Sequence, residues 1–162
     1  MTGLRYNAKC RKAENDVAGF TYTRRLTIEW GQCDPAGIVF NGRFFEMFDV
    51  STWRLFQAAL GVEPHRLSTM FGIVGIPLVD VQANFIRPTK FGDSVEITSW
   101  MGEIRRSSFD VEHRLAANGE LTVEGSETRV WAVRSKEDPE RIAGAPIPDE
   151  VVAKFRSVQS FQ

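Results

Sequence analysis

The fold of this chain is decided by one stretch of its sequence, 41-NGRFFEMFDVSTWRLFQAAL-60. Apolar residues recur there at steps of three and four, which predicts an amphipathic helix with a wide apolar stripe; they are Phe44, Phe45, Phe48, Val50, Leu55, Phe56, Ala59 and Leu60. Asn41 is the predicted N-cap, and Gly61 is the predicted glycine that ends the helix. At ~1.5 Å per residue the helix would be ~30 Å long. We expect it to cross the domain and to be buried on several sides.

Strand patterns flank this helix. Before it, from Tyr22 onward, apolar residues fall at the alternate positions Leu26, Ile28 and Trp30, as in a half-buried strand. After it, four runs are predicted to be strands, around residues 79–85, 95–99, 109–115 and 123–133, with a hairpin turn at Asn118-Gly119 and a bulge or bend at Gly125. Two short helices are predicted, over 64–71 and from 148 to about 158. This order indicates an α+β domain with an antiparallel sheet of about five strands.

Length and charge restrict the class of protein. A chain of 162 residues fits one domain with its own core better than two. Lys and Arg number 20 against 21 Asp and Glu, so the charge balance indicates no nucleic-acid partner. No apolar run suggests a signal peptide or a membrane span, so we expect a cytoplasmic protein. We interpret residues 1–19 as a flexible N-terminal tail and residues 20–162 as a single domain.

The segment 30-WGQCDPAGIVF-40 carries the candidate chemistry. Asp34 lies there in a loop restricted by glycine and proline, a few residues before the long helix. The first N–H groups of a helix lack internal partners and attract negative charge, so a carboxylate beside them could form a hydrolytic site. The simpler interpretation is that Asp34 only makes an Asx turn.

Two other kinds of site are less consistent with the sequence. Cys33 could act as a nucleophile with His65 or His113 as base, but nothing in the spacing brings a histidine to it. A small, buried cysteine is the better interpretation. Two cysteines and two histidines show no metal-ligand spacing, so we expect no metal site.

The chain resembles the 4-hydroxybenzoyl-CoA thioesterase family of hotdog proteins over roughly residues 27–133. The resemblance rests on an ordered set of residues: Gly31, Cys33, the run Asp34-Pro35-Ala36-Gly37-Ile38-Val39, Asp49, Gly72-Ile73-Val74-Gly75 with Pro77, Asn84-Phe85, Asp93, Arg105-Arg106 and Ser108-Phe109. It implies a hotdog fold, in which an antiparallel sheet wraps around one long central helix. It also implies active sites between paired subunits, and hence a homodimer or homotetramer.

The resemblance also implies roles for particular residues. Asp34 would be the catalytic carboxylate, acting either as nucleophile or as general base, and the N–H of Asn41 would polarise the thioester carbonyl. Candidate contacts to the substrate are, for the coenzyme A phosphates, Arg105, Arg106, Ser107 and Lys90, and, for the acyl group, Asp49 and His65. No cofactor is expected, because coenzyme A is part of the substrate.

We therefore expect an acyl-CoA thioesterase that acts on aromatic or short to medium acyl groups. Two alternatives remain open: a thioesterase for acyl carrier protein, and a non-catalytic acyl-CoA-binding hotdog protein. The retained Asp34 argues against the second. A hotdog dehydratase fits less well, because the Asp34 loop contains no histidine.

Overall fold

The computed structural model describes residues 19–161. The tail predicted for residues 1–19 lies outside this range except for Gly19, which is buried. The chain forms three α-helices, α1 (Asn41–Leu60), α2 (Pro64–Phe71) and α3 (Asp149–Arg156). Eight strands accompany them: β1 (Thr21–Thr27), β2 (Leu78–Phe85), β3 (Ser94–Ile104), β4 (Ser108–Ala117), β5 (Glu120–Val130), β6 (Ala132–Arg134), β7 (Ile142–Gly144) and β8 (Ser160–Phe161).

Six strands form one sheet in the order β2-β5-β4-β3-β1-β8. The five long strands pair antiparallel with their neighbours, as predicted, and β8 adds a short parallel pair beside β1. Asn118 and Gly119 both have positive φ (51° and 84°), as the tight hairpin between β4 and β5 requires. The run predicted as one strand over 123–133 is divided, because β6 leaves the sheet to pair with β7.

Helix α1 has the predicted bounds. Gly61 ends it in the left-handed conformation (φ 66°), and the Gly61 N–H donates to the Gln57 carbonyl at 2.9 Å. The predicted N-cap was wrong: Phe40 holds that position, and Asn41 is the first helical residue. The helix also buries one face rather than several sides, since Val50 remains 41% exposed.

The buried face of α1 rests on the sheet through Phe48 and Gly125. Phe48 is fully buried and stacks on His113 with ring centroids 4.6 Å apart. Gly125 lies opposite His113 on β5, and a Cβ there would be 2.4 Å from a ring carbon of Phe48. The predicted bulge at Gly125 was therefore wrong, because the β4–β5 register shifts elsewhere, between Leu115 and Ala116. The glycine is required for close approach of the helix.

A buried polar network joins α1 to strands β3, β4 and β5. The Thr52 hydroxyl donates to Glu127 Oε2 at 2.7 Å, and Arg129 Nε donates to the same oxygen at 2.8 Å. His113 Nδ1 lies 2.8 Å from the Ser99 hydroxyl. Because a buried polar group without a partner is destabilising, these contacts define how the helix sits on the sheet.

Burial changes the charge states in this network. Loss of solvation lowers the pKa of His113 from its usual 6.5 and keeps the imidazole neutral. For Glu127, burial favours the protonated form, but the nearby His113 ring, 3.6 Å away, and the hydrogen bond from Arg129 outweigh it and lower the pKa to about 2. None of the helices formed by residues 19–161 is both long and apolar enough to span a membrane.

Replacing Gly125 by Ala should destabilise the fold by roughly 1–3 kcal/mol, the usual effect of overpacking a core. The added methyl group must displace the Phe48 ring from its fully buried position. Urea denaturation of Gly125→Ala measures the change. Gly31→Ala is a matched control, because a Cβ at Gly31 meets nothing within 4 Å. Equal stability of both variants would contradict the close packing of Phe48 on Gly125.

Acid should destabilise the protein in two steps. Below pH 6.5 the unfolded chain binds a proton on His113 that the folded chain excludes, so stability falls by at most ~1.4 kcal/mol per pH unit from this group. Glu127 adds a second loss between its usual 4.5 and about 2. In urea denaturation from pH 8 to pH 5, His113→Gln should reduce the pH slope. His65→Gln, at an exposed site, should leave the slope unchanged.

Candidate active site

Asp34 lies at the start of a tight turn between β1 and α1. The Gly37 N–H donates to the Asp34 carbonyl at 2.9 Å, and the Ala36 N–H donates to the Asp34 side-chain Oδ1 at 2.8 Å. Gly37 has φ +75°, a conformation that glycine adopts without strain. The Asx turn considered from the sequence is therefore present. The turn uses one carboxylate oxygen of Asp34 and orients the carboxylate. It is therefore compatible with a chemical role for Asp34.

Segment 38–40 holds this turn in place between two other pieces of extended chain. On one side, the Phe40 N–H donates to the Gln32 carbonyl at 3.0 Å, next to a 3₁₀ turn. On the other side, the Val39 N–H donates to the Thr89 carbonyl at 2.8 Å. The Asp34 loop is thus fixed on both flanks by backbone hydrogen bonds.

Asp34 and Asn41 line one cleft of about 500 Å³. Such a volume is within the usual range for small-molecule sites. The wall is otherwise mostly apolar, and the remaining lining residues are Ile38, Val39, Phe40, Phe44, Phe85, Ile86, Arg87, Pro88 and Thr89. The fold therefore brings together the carboxylate and the helix start that the sequence predicted to act together.

The N-terminus of α1 has a free donor in this cleft. The Gly42 N–H donates to Asn41 Oδ1 at 2.9 Å, and the Arg43 N–H donates to the Phe40 carbonyl at 2.9 Å. The Asn41 N–H has no acceptor among residues 19–161. Together with the partial positive charge of the helix end, this N–H can stabilise an oxyanion.

The predicted contacts to coenzyme A lie at two separate places. Lys90 is exposed on the loop that pairs with segment 38–40, beside the cleft. Arg105, Arg106 and Ser107 lie at the β3–β4 hairpin, outside the wall of the Asp34 cleft in this chain. The Arg105 guanidinium is held by Asp110 at 2.6 Å and by Glu103 at 3.2 Å.

The predicted acyl contacts also lie away from the cleft wall of the same chain. Asp49 is two turns along α1 from Asn41, ~12 Å by helix geometry. Its side chain is 49% exposed, and its Oδ1 accepts from Arg129 Nη2 at 2.6 Å. His65 is exposed near the start of α2. The single chain does not bring these two residues to Asp34.

Three side chains of interest were missed from the sequence. Arg87 lines the cleft but was not among the predicted site residues. Glu127 and Arg129 were also missed: Arg129 binds Asp49 Oδ1 at 2.6 Å, and Glu127 binds Arg129 at 2.8 Å. Their signal was present in the sequence, because charged residues two apart on a buried strand face require partners. Within residues 19–161, no three His, Cys, Asp or Glu side chains cluster as metal ligands.

Comparisons with known proteins agree with this geometry. The family model described as the thioesterase-like superfamily matches residues 28–155. The chain is 30% identical to 4-hydroxybenzoyl-CoA thioesterase of Pseudomonas sp. strain CBS-3 over 136 residues, which are 80% of this chain and 94% of that enzyme. It is also 30% identical to 1,4-dihydroxy-2-naphthoyl-CoA hydrolase of Synechococcus elongatus over 97 residues, 60% of this chain and 71% of the relative.

Solved structures show the same similarity. The structure of the Pseudomonas 4-hydroxybenzoyl-CoA thioesterase superposes with a TM-score of 0.75 at 28% identity, covering 83% of this chain and 98% of that chain. Gentisyl-coenzyme A thioesterase BH1999 superposes with a TM-score of 0.68 at 26% identity, covering 82% and 98%. The chain therefore belongs to the thioesterase-like superfamily and is a thioester hydrolase of the hotdog fold.

Proposed function

We propose that this protein hydrolyses an aromatic acyl-CoA to the free acid and coenzyme A. The observation that carries the proposal is the shared cleft, which is lined by both Asp34 and Asn41, the first residue of α1. A hydrolase for thioesters needs a group that attacks the carbonyl carbon, or activates water to do so, and a donor for the oxygen that becomes negative. The cleft contains both.

Two routes use these groups. As nucleophile, an Asp34 oxygen bonds to the acyl carbon, the C–S bond breaks, and coenzyme A leaves as its thiolate; water then cleaves the anhydride and restores Asp34. As general base, Asp34 takes a proton from a water molecule whose oxygen attacks the same carbon; the C–S bond then breaks, coenzyme A leaves as its thiolate, and Asp34 releases the proton. In both routes the Asn41 N–H stabilises the oxyanion, by ~2.7–4 kcal/mol in comparable sites. Neither route uses a metal or a cofactor.

The aromatic acyl group is proposed from the cleft wall and from the relatives. Phe40, Phe44 and Phe85 supply apolar surface beside Asp34. The relatives named above act on hydroxybenzoyl, dihydroxynaphthoyl and gentisyl thioesters. An aspartate-to-asparagine variant of the hydroxybenzoyl enzyme has been solved in complex with 4-hydroxybenzoyl CoA. We retain Asp49 and His65 as proposed contacts for a polar substituent on the acyl group.

We also propose a homo-oligomer, a dimer or a tetramer, paired through strand β2. This strand is an edge of the sheet, and Leu78, Val79 and Phe85 on it are 43%, 60% and 42% exposed. An exposed apolar edge strand favours pairing with another strand. In such an assembly the contacts proposed at Asp49, His65 and 105–107 can be supplied to a cleft by another subunit. A cytoplasmic location fits the sequence composition and is part of the proposal.

Two alternatives are distinguished by substrate. A carrier-protein thioesterase would prefer a protein-bound pantetheine thioester to the free coenzyme A thioester. A non-catalytic binding protein would retain acyl-CoA without releasing thiol. No contact in the cleft favours either alternative. The presence of both the Asp34 carboxylate and the Asn41 N–H favours turnover of the thioester.

Asp34→Asn should lower kcat for acyl-CoA hydrolysis at least 100-fold, because amide nitrogen and oxygen neither attack the carbonyl nor accept a proton from water. Thiol release from a panel including 4-hydroxybenzoyl-CoA and benzoyl-CoA measures it. Asp138→Asn, at a half-buried site between β6 and β7, is the control for loss of one carboxylate. Full activity of the Asp34 variant would refute the proposed site, and a wild type inert on both coenzyme A and carrier-protein thioesters would favour the binding protein.

Val79→Lys should convert the assembly to monomers, because two lysines would face each other across a paired β2 edge. Light scattering coupled to size-exclusion chromatography measures the mass. Val158→Lys, at a site that is 84% exposed, should keep the mass of the wild type. If wild type is already monomeric, or if Val79→Lys leaves the oligomer intact, pairing through β2 is wrong.

A further inference from the structure

Arg87 is the cationic side chain in the wall of the Asp34 cleft, within the part of the chain that the structure describes. Its backbone is fixed to strand β5, since the N–H groups of Ile86 and Arg87 both donate to the Thr122 carbonyl, at 2.8 and 3.2 Å. Pro88 follows and restricts the backbone further. The backbone of Arg87 is thus fixed at the cleft by the fold, and its side chain is 54% exposed.

In the chain by itself, Arg87 is paired with Glu120. The Arg87 Nη1 donates to Glu120 Oε2, and the Glu120 side chain is 67% exposed. An ion pair with so much exposure contributes little to stability, because water and salt screen it. Stability therefore does not account for a cation at this position, which is next to Asp34 in the same cleft.

The other basic residues proposed for coenzyme A are less suited to the cleft of the same chain. Arg105 already binds two carboxylates, those of Asp110 and Glu103, at the β3–β4 hairpin. Lys90 is on the same connection as Arg87 but is not in the wall. A guanidinium with one exposed partner can exchange that partner for a group with more negative charge, and phosphate binds arginine through two parallel hydrogen bonds.

We propose that Arg87 binds a phosphate group of acyl-CoA at the Asp34 cleft, and that Glu120 is the carboxylate it releases when the phosphate arrives. This proposal rests on the proposed acyl-CoA substrate. It assigns opposite effects to the two members of the ion pair. Arg87 attracts the phosphate, whereas Glu120 occupies the guanidinium and repels the phosphate by like charge.

The experiment compares 4-hydroxybenzoyl-CoA with 4-hydroxybenzoyl-pantetheine, which carries the same thioester but no phosphate. Arg87→Gln should raise KM for the coenzyme A thioester about 10-fold with little change in kcat, as expected for loss of uniform binding. Glu120→Gln should lower that KM about 2- to 3-fold. Neither variant should change KM for the pantetheine thioester. The pair Arg25 and Glu96, similarly exposed on β1 and β3, supplies control variants Arg25→Gln and Glu96→Gln that should change neither substrate.

Several results would overturn the proposal. If Arg87→Gln and Glu120→Gln change KM in the same direction, the ion pair itself matters and no phosphate replaces it. If Arg87→Gln affects both thioesters equally, the arginine does not contact a phosphate. In either case an active wild type leaves the proposed function standing.

If the protein hydrolyses neither thioester, calorimetry tests the same phosphate contact through the binding affinity for coenzyme A and for pantetheine. Loss of coenzyme A affinity in Arg87→Gln, with a gain in Glu120→Gln, would support the phosphate contact even if hydrolysis fails. Unchanged affinity in both variants would refute it. Failure of the proposed function is instead recognised by a wild type that hydrolyses neither thioester.

Discussion

The fold and the position of the candidate active site depend on how closely helix α1 approaches the sheet. Phe48 can lie flat on His113 only because β5 has a glycine at the facing position, where a Cβ would come within 2.4 Å of the ring. This close contact fixes the distance of α1 from β4 and β5. It therefore also fixes the position of the N-terminus of α1 relative to the sheet. Because Asn41 is the first helical residue, the packing of Phe48, two turns later, also places Asn41 in the wall of the cleft.

Polar contacts then fix the helix against rotation and sliding. Apolar packing is tolerant of small shifts, whereas a hydrogen bond to a buried charge is not. Thr52 binds Glu127 at 2.7 Å, and Asp49 binds Arg129 at 2.6 Å, so two positions on α1 are tied to one strand. Breaking one partner of such a buried network leaves an uncompensated charge, which is far more destabilising than losing an exposed pair. The network therefore fixes the position of α1, whose first residue, Asn41, lines the Asp34 cleft.

Much of the fold could be predicted because its signals are local. The bounds of α1 follow from a period of three to four residues and from Gly61, and four of the five long strands lie near their predicted runs. The rest depended on distant contacts. The separation of β6 from β5 and the role of Gly125 are set by partners far along the chain. An N-cap preference placed Asn41 one residue outside the helix, whereas the pairing of Phe40 with Gln32 determines the actual start.

The site was predictable to a different extent. A carboxylate in a turn before a helix can be recognised from sequence, but the sequence does not distinguish an Asx turn from a chemical role, because both use the same residue. Arg87 could not be recognised, because its place in the wall depends on Thr122 of another strand. Its pairing has a consequence for Asp34. A cation in the same cleft would neutralise a reactive carboxylate if it paired with it, and Glu120 provides a different partner. Among residues 19–161, the Asp34 carboxylate therefore has no cationic partner, and Arg87 pairs with Glu120 at the same cleft.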